Sequence, residues 1–229
     1  MTTLEGAADA GASGEAVDWA RVQAVSGLAF FAFLTVHLAT TFSAILGPEA
    51  FTAVQRTMRV GYQFILLEAG IAVAVLVHIT AGVKRWRRLG TQAGLARRLH
   101  RWTAVFLALV IFEHVTGTRG LNLYSGADTG FGAVSFTLRW FPEWFAPYYL
   151  VLGAAGIFHA LYGGLTAISR LGWHRAIHLR GTSVLWWTFA IGVATVAVSL
   201  AGFAGLLYTV PDAFDNDYAQ FYLDALGDG

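Results

Sequence analysis

The chain of 229 residues has no cysteine and few charged residues. The absence of cysteine excludes disulfides and metal sites built from thiolates. Charged residues make up 13% of the sequence, about half of the roughly 25% that is typical of soluble domains, so a soluble globular fold is disfavoured. The net charge of +1 gives no indication of a nucleic-acid partner.

Hydrophobic residues make up 56% of the chain and are concentrated in long runs. Five runs carry no charge, or a single acid, over a length that can cross a bilayer. They lie at about 22–47, 60–83, 102–118, 144–169 and 181–208. The acid in the second run is Glu68 and the acid in the third is Glu113. We therefore predict an all-α membrane protein, a bundle of five transmembrane helices within residues 21–208.

The distribution of Lys and Arg predicts the orientation of this bundle. Nearly half of these residues lie in the loop 84–101 and three more lie in 170–180, whereas the C-terminal tail 209–229 carries only acids. Because short loops rich in Lys and Arg stay in the cytoplasm, we expect both loops and the N-terminus to be cytoplasmic and the C-terminus to lie outside the inner (plasma) membrane. Residues 1–20 lack the pattern of a cleavable signal peptide and are predicted to form a flexible cytoplasmic tail.

One histidine lies in each of the first four predicted spans: His37, His78, His114 and His159. Ionisable side chains are costly inside a bilayer and therefore mark functional candidates. At about 1.5 Å of rise per residue, His37 and His114 lie about 20 Å from the cytoplasmic side, in the outer half. His78 and His159 lie near the cytoplasmic ends of spans that run the other way. The four residues therefore form an outer pair and an inner pair.

Two imidazoles at one depth are the axial ligands that haem b takes from a protein. Two haems would account for all four residues, the outer one held by His37 and His114 and the inner one by His78 and His159. Ligands spread over two levels cannot complete one tetrahedral zinc site. Small residues one turn from the ligands would let a flat ring approach the backbone; they are Gly82, Gly117, Gly156 and Gly163.

Two alternatives remain open for the histidines. Buried histidines also serve as hydrogen-bonded packing residues between helices. In another haem arrangement the two ligands lie fourteen residues apart on one helix, and His100 and His114 have that spacing. The second pair that this arrangement needs, His159 and His174, is less suitable because His174 lies beyond Arg170 in the basic loop.

The spans also contain a weak internal repeat. The stretches QAVSGLAFFAFLTVH (23–37) and HRWTAVFLALVIFEH (100–114) align without gaps, which pairs Gln23 with His100 and Ser26 with Thr103. The segments that follow, HITAGVKRWRRLG (78–90) and HALYGGLTAISRLG (159–172), share H-x3-G and a final R-L-G. This pattern predicts two helical hairpins of similar design, with a fifth helix added.

Two motifs resemble those of a known family. The patterns are Q-x2-S-G-x9-H at 23–37 and W-F-A-P-Y-Y-L-V-L-x6-H-x3-G-G-L at 144–165. They resemble the five-helix, dihaem cytochrome b subunit of succinate dehydrogenases and fumarate reductases. The acidic, aromatic segment DNDYAQFYLD (215–224) is also similar to that subunit's C-terminus, and the resemblance extends over residues 18–223.

The resemblance implies a membrane anchor that encloses two stacked b haems, the outer one bound by the first and third helices and the inner one by the second and fourth. It implies electron transfer between a membrane quinone and a flavoprotein with an iron–sulfur subunit on the cytoplasmic face, where succinate and fumarate are interconverted. The chain itself has no flavin or cluster motif and would do no dicarboxylate chemistry alone. One alternative is a cytochrome b of another quinone-linked dehydrogenase. Another, of a different class, is a haem-free transporter with intramembrane His and Glu proton sites.

Polar residues at the cytoplasmic starts of the first and third spans are predicted to bind the propionates of the inner haem. They are Gln23 and Ser26, which belong to the family pattern, and His100 and Arg101, which we add from their position. The alternative for each is a structural role at a helix end. Lys84, Arg85 and Arg88, in the adjoining loop, are interpreted as solvated charges that set the topology.

The two acids within the spans, Glu68 and Glu113, are candidates for binding quinone or its protons, because quinone chemistry moves protons with electrons. The alternative for each is a protonated acid bonded to a neighbouring helix. The outer connection 120–143 contains the amphipathic stretch VSFTLRWF (134–141), which predicts an interfacial helix over the outer haem.

Overall fold

The computed structural model describes residues 17–86 and 94–227. Over these residues the chain is helical and has no strand. Nine α-helices follow one another along this part of the chain: α1 Trp19–Phe42, α2 Pro48–Tyr62, α3 Ile65–Trp86, α4 Leu95–Val115, α5 Leu121–Ser125, α6 Phe131–Trp140, α7 Pro142–Arg170, α8 Ser183–Phe203 and α9 Asp217–Leu226. Residues 1–16, most of the predicted N-terminal tail, lie outside the described residues, as does Arg88.

Within the described chain, five helices are long and apolar enough to cross a membrane, which confirms the predicted number. They are α1, α3, α4, α7 and α8. The third span is longer than predicted and extends from Leu95 to Ser125. A π-helical turn at Thr116–Gly120 joins α4 to α5 without a break, and such turns are common at functional sites. The end of the bundle at which α1 begins is called the inner end, in keeping with the predicted orientation.

Local signals in the sequence account for the helix ends. Asp18 Oδ1 accepts hydrogen bonds from the backbone N–H groups of Ala20 (3.0 Å) and Arg21 (3.2 Å) and so caps the start of α1. Pro142 begins α7, where its missing N–H costs no intrahelical bond. Gly172 follows the end of α7 with a φ of +118°, a backbone angle that residues other than glycine rarely adopt.

The first four spans form two hairpins that lie side by side. Helix α1 packs against α3, α4 packs against α7, and α1 packs against α7. Helices α3 and α4, in contrast, have little contact along their length. They are joined near their ends, by Arg101 over the Trp86 ring at the inner end and by the Arg119–Glu68 ion pair at the outer end. The four helices therefore surround a central space, in which α1 faces α4 and α3 faces α7 across the diagonals. Helix α8 lies outside this group, against α7.

A cap of short helices covers the outer end. One hydrophobic cluster joins Phe51 of α2, Phe131 and Leu138 of α6 and Phe203 of α8. A second cluster joins Leu121 of α5, Phe136 of α6 and Tyr218 of α9. The acidic C-terminal segment is therefore part of the folded protein through α9.

Two of the outer connections are helical. The segment VSFTLRWF lies in α6 except for its last residue, and its residues 135–138 are buried between neighbouring helices. Helix α6 is thus an interior element of the cap, and its place at the membrane surface stays a prediction. The segment 48–59, between the first two predicted spans, lies within the helix α2. The sequence contains two features that favour a helix start here, Pro48 at the first position and Glu49 in the first turn.

Candidate metal centres: two histidine pairs

The outer pair consists of His37 on α1 and His114 on α4. Their ring centroids are 6.0 Å apart and their planes are inclined by 77°. Phe33, one turn before His37, stacks on the His37 ring with centroids 5.8 Å apart. The two imidazoles thus meet across one diagonal of the bundle, inside the central space.

The inner pair consists of His78 on α3 and His159 on α7. Their ring centroids are 6.1 Å apart and their planes are inclined by 89°. These residues meet across the other diagonal. Thr103 of α4 lies beside His159, and His114 comes eleven residues later on the same helix, so the two pairs are separated by about 16 Å along the helix axis.

The separations within the two pairs agree with a shared metal ion. A bond between a metal and an imidazole nitrogen is about 2 Å long and the ring centre lies about 1 Å further away, so two imidazoles on opposite sides of one ion have centroids about 6 Å apart. Within the described residues, no group of three or more His, Asp or Glu side chains is placed to hold a metal ion. A metal held by either pair therefore needs most of its ligands from a non-protein group, as haem iron takes them from porphyrin.

Hydrogen bonds orient both inner imidazoles. His78 Nδ1 lies 3.1 Å from the backbone carbonyl oxygen of Gln23. Because a carbonyl only accepts, Nδ1 is assigned the proton and Nε2 is left with a lone pair for a metal. His159 Nδ1 lies 3.5 Å from Thr103 Oγ1, whose hydroxyl donates to the Leu99 carbonyl at 2.9 Å. The same tautomer follows for His159. Such bonds to the second nitrogen are typical of histidines that bind metals.

Two of the four predicted glycines lie where close approach is needed. A Cβ atom added to Gly82 would lie 3.1 Å from Gln23 Nε2, and one added to Gly163 would lie 3.1 Å from His100 Cε1. Gly117 and Gly156 face open space, with no atom within 4 Å of an added Cβ. A still closer approach to a histidine is at Gly27, where an added Cβ would lie 2.7 Å from His78 Cε1. The sequence did not single out Gly27 for this role, although the family pattern contains it.

The inner end holds a group of cationic and polar side chains. His100 stacks on His159 with centroids 4.3 Å apart and planes inclined by 15°, and its Nδ1 is buried without a hydrogen-bond partner. Gln23 Oε1 accepts a hydrogen bond from Arg85 Nη1. The interpretation of Arg85 as a solvated charge is therefore wrong, since it is half-buried and bound to Gln23.

Arg180 is a further cation at this end. Its guanidinium lies 5.3 Å from the centroid of the Tyr162 ring and donates to Thr166 Oγ1 at 3.0 Å. The sequence did not reveal it, because Arg180 lies in the segment that follows α7 and reaches that helix only when the 3₁₀ helix His174–Gly181 folds back on it.

The other predicted propionate residues lie at the same end. Ser26 is buried and donates through Oγ to the Val22 carbonyl at 2.8 Å, which leaves its oxygen able to accept but not to donate. The Arg101 guanidinium lies 3.8 Å from the centroid of the Trp86 ring, where it links the ends of α4 and α3. Propionate binding by these residues and by Gln23 and His100 stays a prediction.

The two acids differ in their surroundings. Glu68 forms a two-point ion pair with Arg119, with distances of 2.6 Å to Nε and 2.9 Å to Nη2. Arg119 also donates to Asn122 Oδ1 at 2.7 Å. Glu68 therefore links α3 to the neighbouring third span through this ion pair. Glu113 precedes His114 on α4, and its side chain is exposed on the outside of the bundle.

Comparisons with protein-family models and with curated proteins find no match to this chain. The function is therefore argued from the geometry of the histidine pairs and from the motifs of the sequence.

Proposed function

We propose that the chain is a dihaem cytochrome b that serves as the membrane anchor and electron-transfer subunit of a succinate:quinone oxidoreductase. The observation that supports haem binding most directly is the pair of diagonal imidazole contacts, with centroid separations of 6.0 and 6.1 Å. Both contacts lie inside the bundle and both fit one ion between two rings. When bound, each haem supplies a one-electron carrier whose iron alternates between the ferric and ferrous states.

The residues of the chain have distinct roles in this proposal. His37 and His114 bind the outer iron, and His78 and His159 bind the inner iron. The Gln23 carbonyl orients His78, while Thr103 orients His159. The two levels lie about 16 Å apart along the helices, about half of the roughly 30 Å hydrocarbon core, so together they form two steps across the membrane.

The inner end offers what haem propionates need. Carboxylates are stabilised by guanidinium, imidazole and amide donors. Arg85, Arg180, Gln23 and His100 provide these groups near the inner pair. The buried Nδ1 atom of His100, which has no hydrogen-bond partner among the described residues, is suited to such an acceptor.

The outer end offers two acids for the proton chemistry of a quinone. Glu113 adjoins the outer pair in the sequence and has an exposed side chain, which makes it the better candidate for contact with a membrane quinone. Glu68 is held in its ion pair with Arg119, so its proposed role is indirect, through the position of Arg119 near the outer end.

The dehydrogenase partner and the orientation rest on the sequence. The motifs at 23–37 and 144–165 support a succinate dehydrogenase or fumarate reductase, and the Lys and Arg distribution places the inner end in the cytoplasm. A flavoprotein and an iron–sulfur subunit would dock there, beside the basic loops 84–101 and 170–180.

The proposal is tested by expressing the chain from its own promoter and purifying it in a mild detergent. We expect a flavoprotein and an iron–sulfur protein to co-purify, and succinate to reduce b-type haem in the complex, as a rise in the α-band absorbance. Haem with a different dehydrogenase partner would contradict the succinate assignment. Protein without haem would contradict the cytochrome and favour the transporter hypothesis.

A further inference from the structure

The two hairpins present their inner histidines in equivalent ways. An offset of 77 residues aligns α1 with α4 and pairs Gln23 with His100, Ser26 with Thr103 and Gly27 with Ala104. Each inner histidine lies on the second helix of its own hairpin and contacts the first helix near these positions. We call each contact region a histidine seat.

In the first seat, His78 of α3 lies against α1. Its Nδ1 is 3.1 Å from the Gln23 carbonyl oxygen, and the side chain of Gln23 passes over Gly82, one turn after His78, at 3.1 Å from the position of an added Cβ. The backbone of Gln23 thus binds the imidazole while its side chain packs on the turn that follows.

In the second seat, His159 of α7 lies against α4 in the same way. His159 Nδ1 lies 3.5 Å from Thr103 Oγ1, which in turn lies 3.1 Å from the backbone carbonyl oxygen of His100, the residue that corresponds to Gln23. The side chain of His100 passes over Gly163, one turn after His159, again at 3.1 Å from the position of an added Cβ. The sequence repeat is therefore a repeat of contacts as well.

The seats differ at one position, where α1 has Gly27 and α4 has Ala104. A Cβ on Gly27 would lie 2.7 Å from His78 Cε1 and 2.9 Å from His78 Nδ1, closer than side-chain atoms approach. Glycine within a helix is less favourable than alanine, so the missing side chain needs a local reason. The His78 ring supplies it, because it occupies the space of the absent Cβ.

We propose that Gly27 is a positioning residue that admits His78 to the Gln23 carbonyl and thereby holds the imidazole with Nε2 directed into the bundle. The α4–α7 hairpin carries the same seat with Ala104 in place of the glycine, so that His159 is linked to the His100 carbonyl through the Thr103 hydroxyl. This inference rests on the proposed haem binding, and its test is chosen to separate the two.

The first test is Gly27→Ala in the full chain with its co-purifying partners. The added methyl group displaces His78, so we expect the haem content to fall from two per chain to one, with the low-spin electron paramagnetic resonance signal of the outer haem unchanged. Gly70→Ala is the matched control: it adds the same methyl group to α3, eight residues before His78, at an exposed position where no described atom lies within 4 Å. This control should keep both haems.

The second test is Ala104→Gly, which makes the second seat like the first. A stronger hydrogen bond to Nδ1 makes an imidazole a better electron donor to its metal, so we expect the midpoint potential of the inner haem to fall while that of the outer haem stays the same. Retention of both haems with unchanged potentials and spectra in Gly27→Ala overturns the inference. Loss of both haems in that variant also overturns it, because it would show a general packing role.

If the wild-type protein contains no haem, the proposed function fails and the seat is tested separately by ¹⁵N NMR of the histidine side chains. We then expect a protonated Nδ1 and an unprotonated Nε2 for His78 in the wild type. Gly27→Ala should change these signals and Gly70→Ala should not. Identical His78 signals in all three proteins overturn the seat itself.

Discussion

The inner and outer histidine pairs have nearly the same geometry but different surroundings. The inner rings are hydrogen-bonded to neighbouring helices and lie among Arg85, Arg180 and His100. The outer rings adjoin Phe33, which also contacts the Tyr62 ring edge-on at 5.6 Å. Near the outer end, Glu68 and Arg119 neutralise each other in an ion pair. One ligand type is thus placed in a cationic environment at one level and in an aromatic environment at the other.

This difference makes the two sites separable, and replacement of a single ligand should have the largest effect. We expect His78→Ala or His159→Ala to remove the inner haem, and His37→Ala or His114→Ala to remove the outer one, each leaving about one haem per chain. Haem content and electron paramagnetic resonance spectra measure this. Loss of the inner haem on replacement of His37 would contradict the diagonal pairing.

Replacement of Arg85 reduces the positive charge near the inner pair. A positive charge stabilises the reduced form of a haem, so the inner haem should have the higher midpoint potential in the wild type, and Arg85→Gln should lower it. A unit charge about 10 Å away, at an effective dielectric constant of about 20, contributes about 1.7 kcal/mol, or about 70 mV for one electron. Redox titration of the two haems measures the change.

Arg139→Gln is the control for this prediction, because Arg139 is a cation of the outer cap on α6. It should leave the inner potential unchanged. An inner potential that is equally insensitive to Arg85→Gln would mean that Arg85 is not part of the inner environment.

The Glu68–Arg119 ion pair balances two charges near the outer end. It also links α3 to the third span. Glu68→Gln leaves the half-buried Arg119 without its carboxylate and should lower the free energy of unfolding by about 1–2 kcal/mol. Thermal unfolding in detergent measures the loss. A double-mutant cycle with Arg119→Gln should show coupling between the two residues, and purely additive effects would contradict a direct interaction.

The smallest effect is expected at Phe33. Phe33→Leu removes the stacked ring from His37 but keeps an apolar side chain of similar size, so the cost should be about 0.5–1.5 kcal/mol. Both haems should remain, with a changed signal for the outer one alone. Phe30→Leu is the control, one turn nearer the inner end of α1. A changed inner signal in Phe33→Leu would contradict the separation of the two environments.

Features that depend on composition and helical period could be predicted from the sequence. The five spans follow from long apolar runs, and the levels of the four histidines follow from the rise of a helix. The helix α2 was missed because its amphipathic pattern includes Arg56 and Arg59 and is too short and too polar for a span.

Features that depend on contacts between helices could not be predicted. Arg85 and Gln23 are 62 residues apart in the sequence, and no local pattern distinguishes Arg85 from the other cations of the stretch 84–88. Gly27 belongs to a motif, but its role depends on the approach of His78 from another helix. The repeat predicted that the two hairpins correspond. The consequence of the difference between Gly27 and Ala104 could be inferred only from the distances in the structure.

The central claim, that each histidine pair holds one haem, is tested most directly by the haem content of the purified wild-type chain. The account predicts two b-type haems per chain, both low-spin and both with two imidazole ligands by electron paramagnetic resonance. A chain that contains no haem, or a single haem unaffected by replacement of either histidine pair, would contradict it.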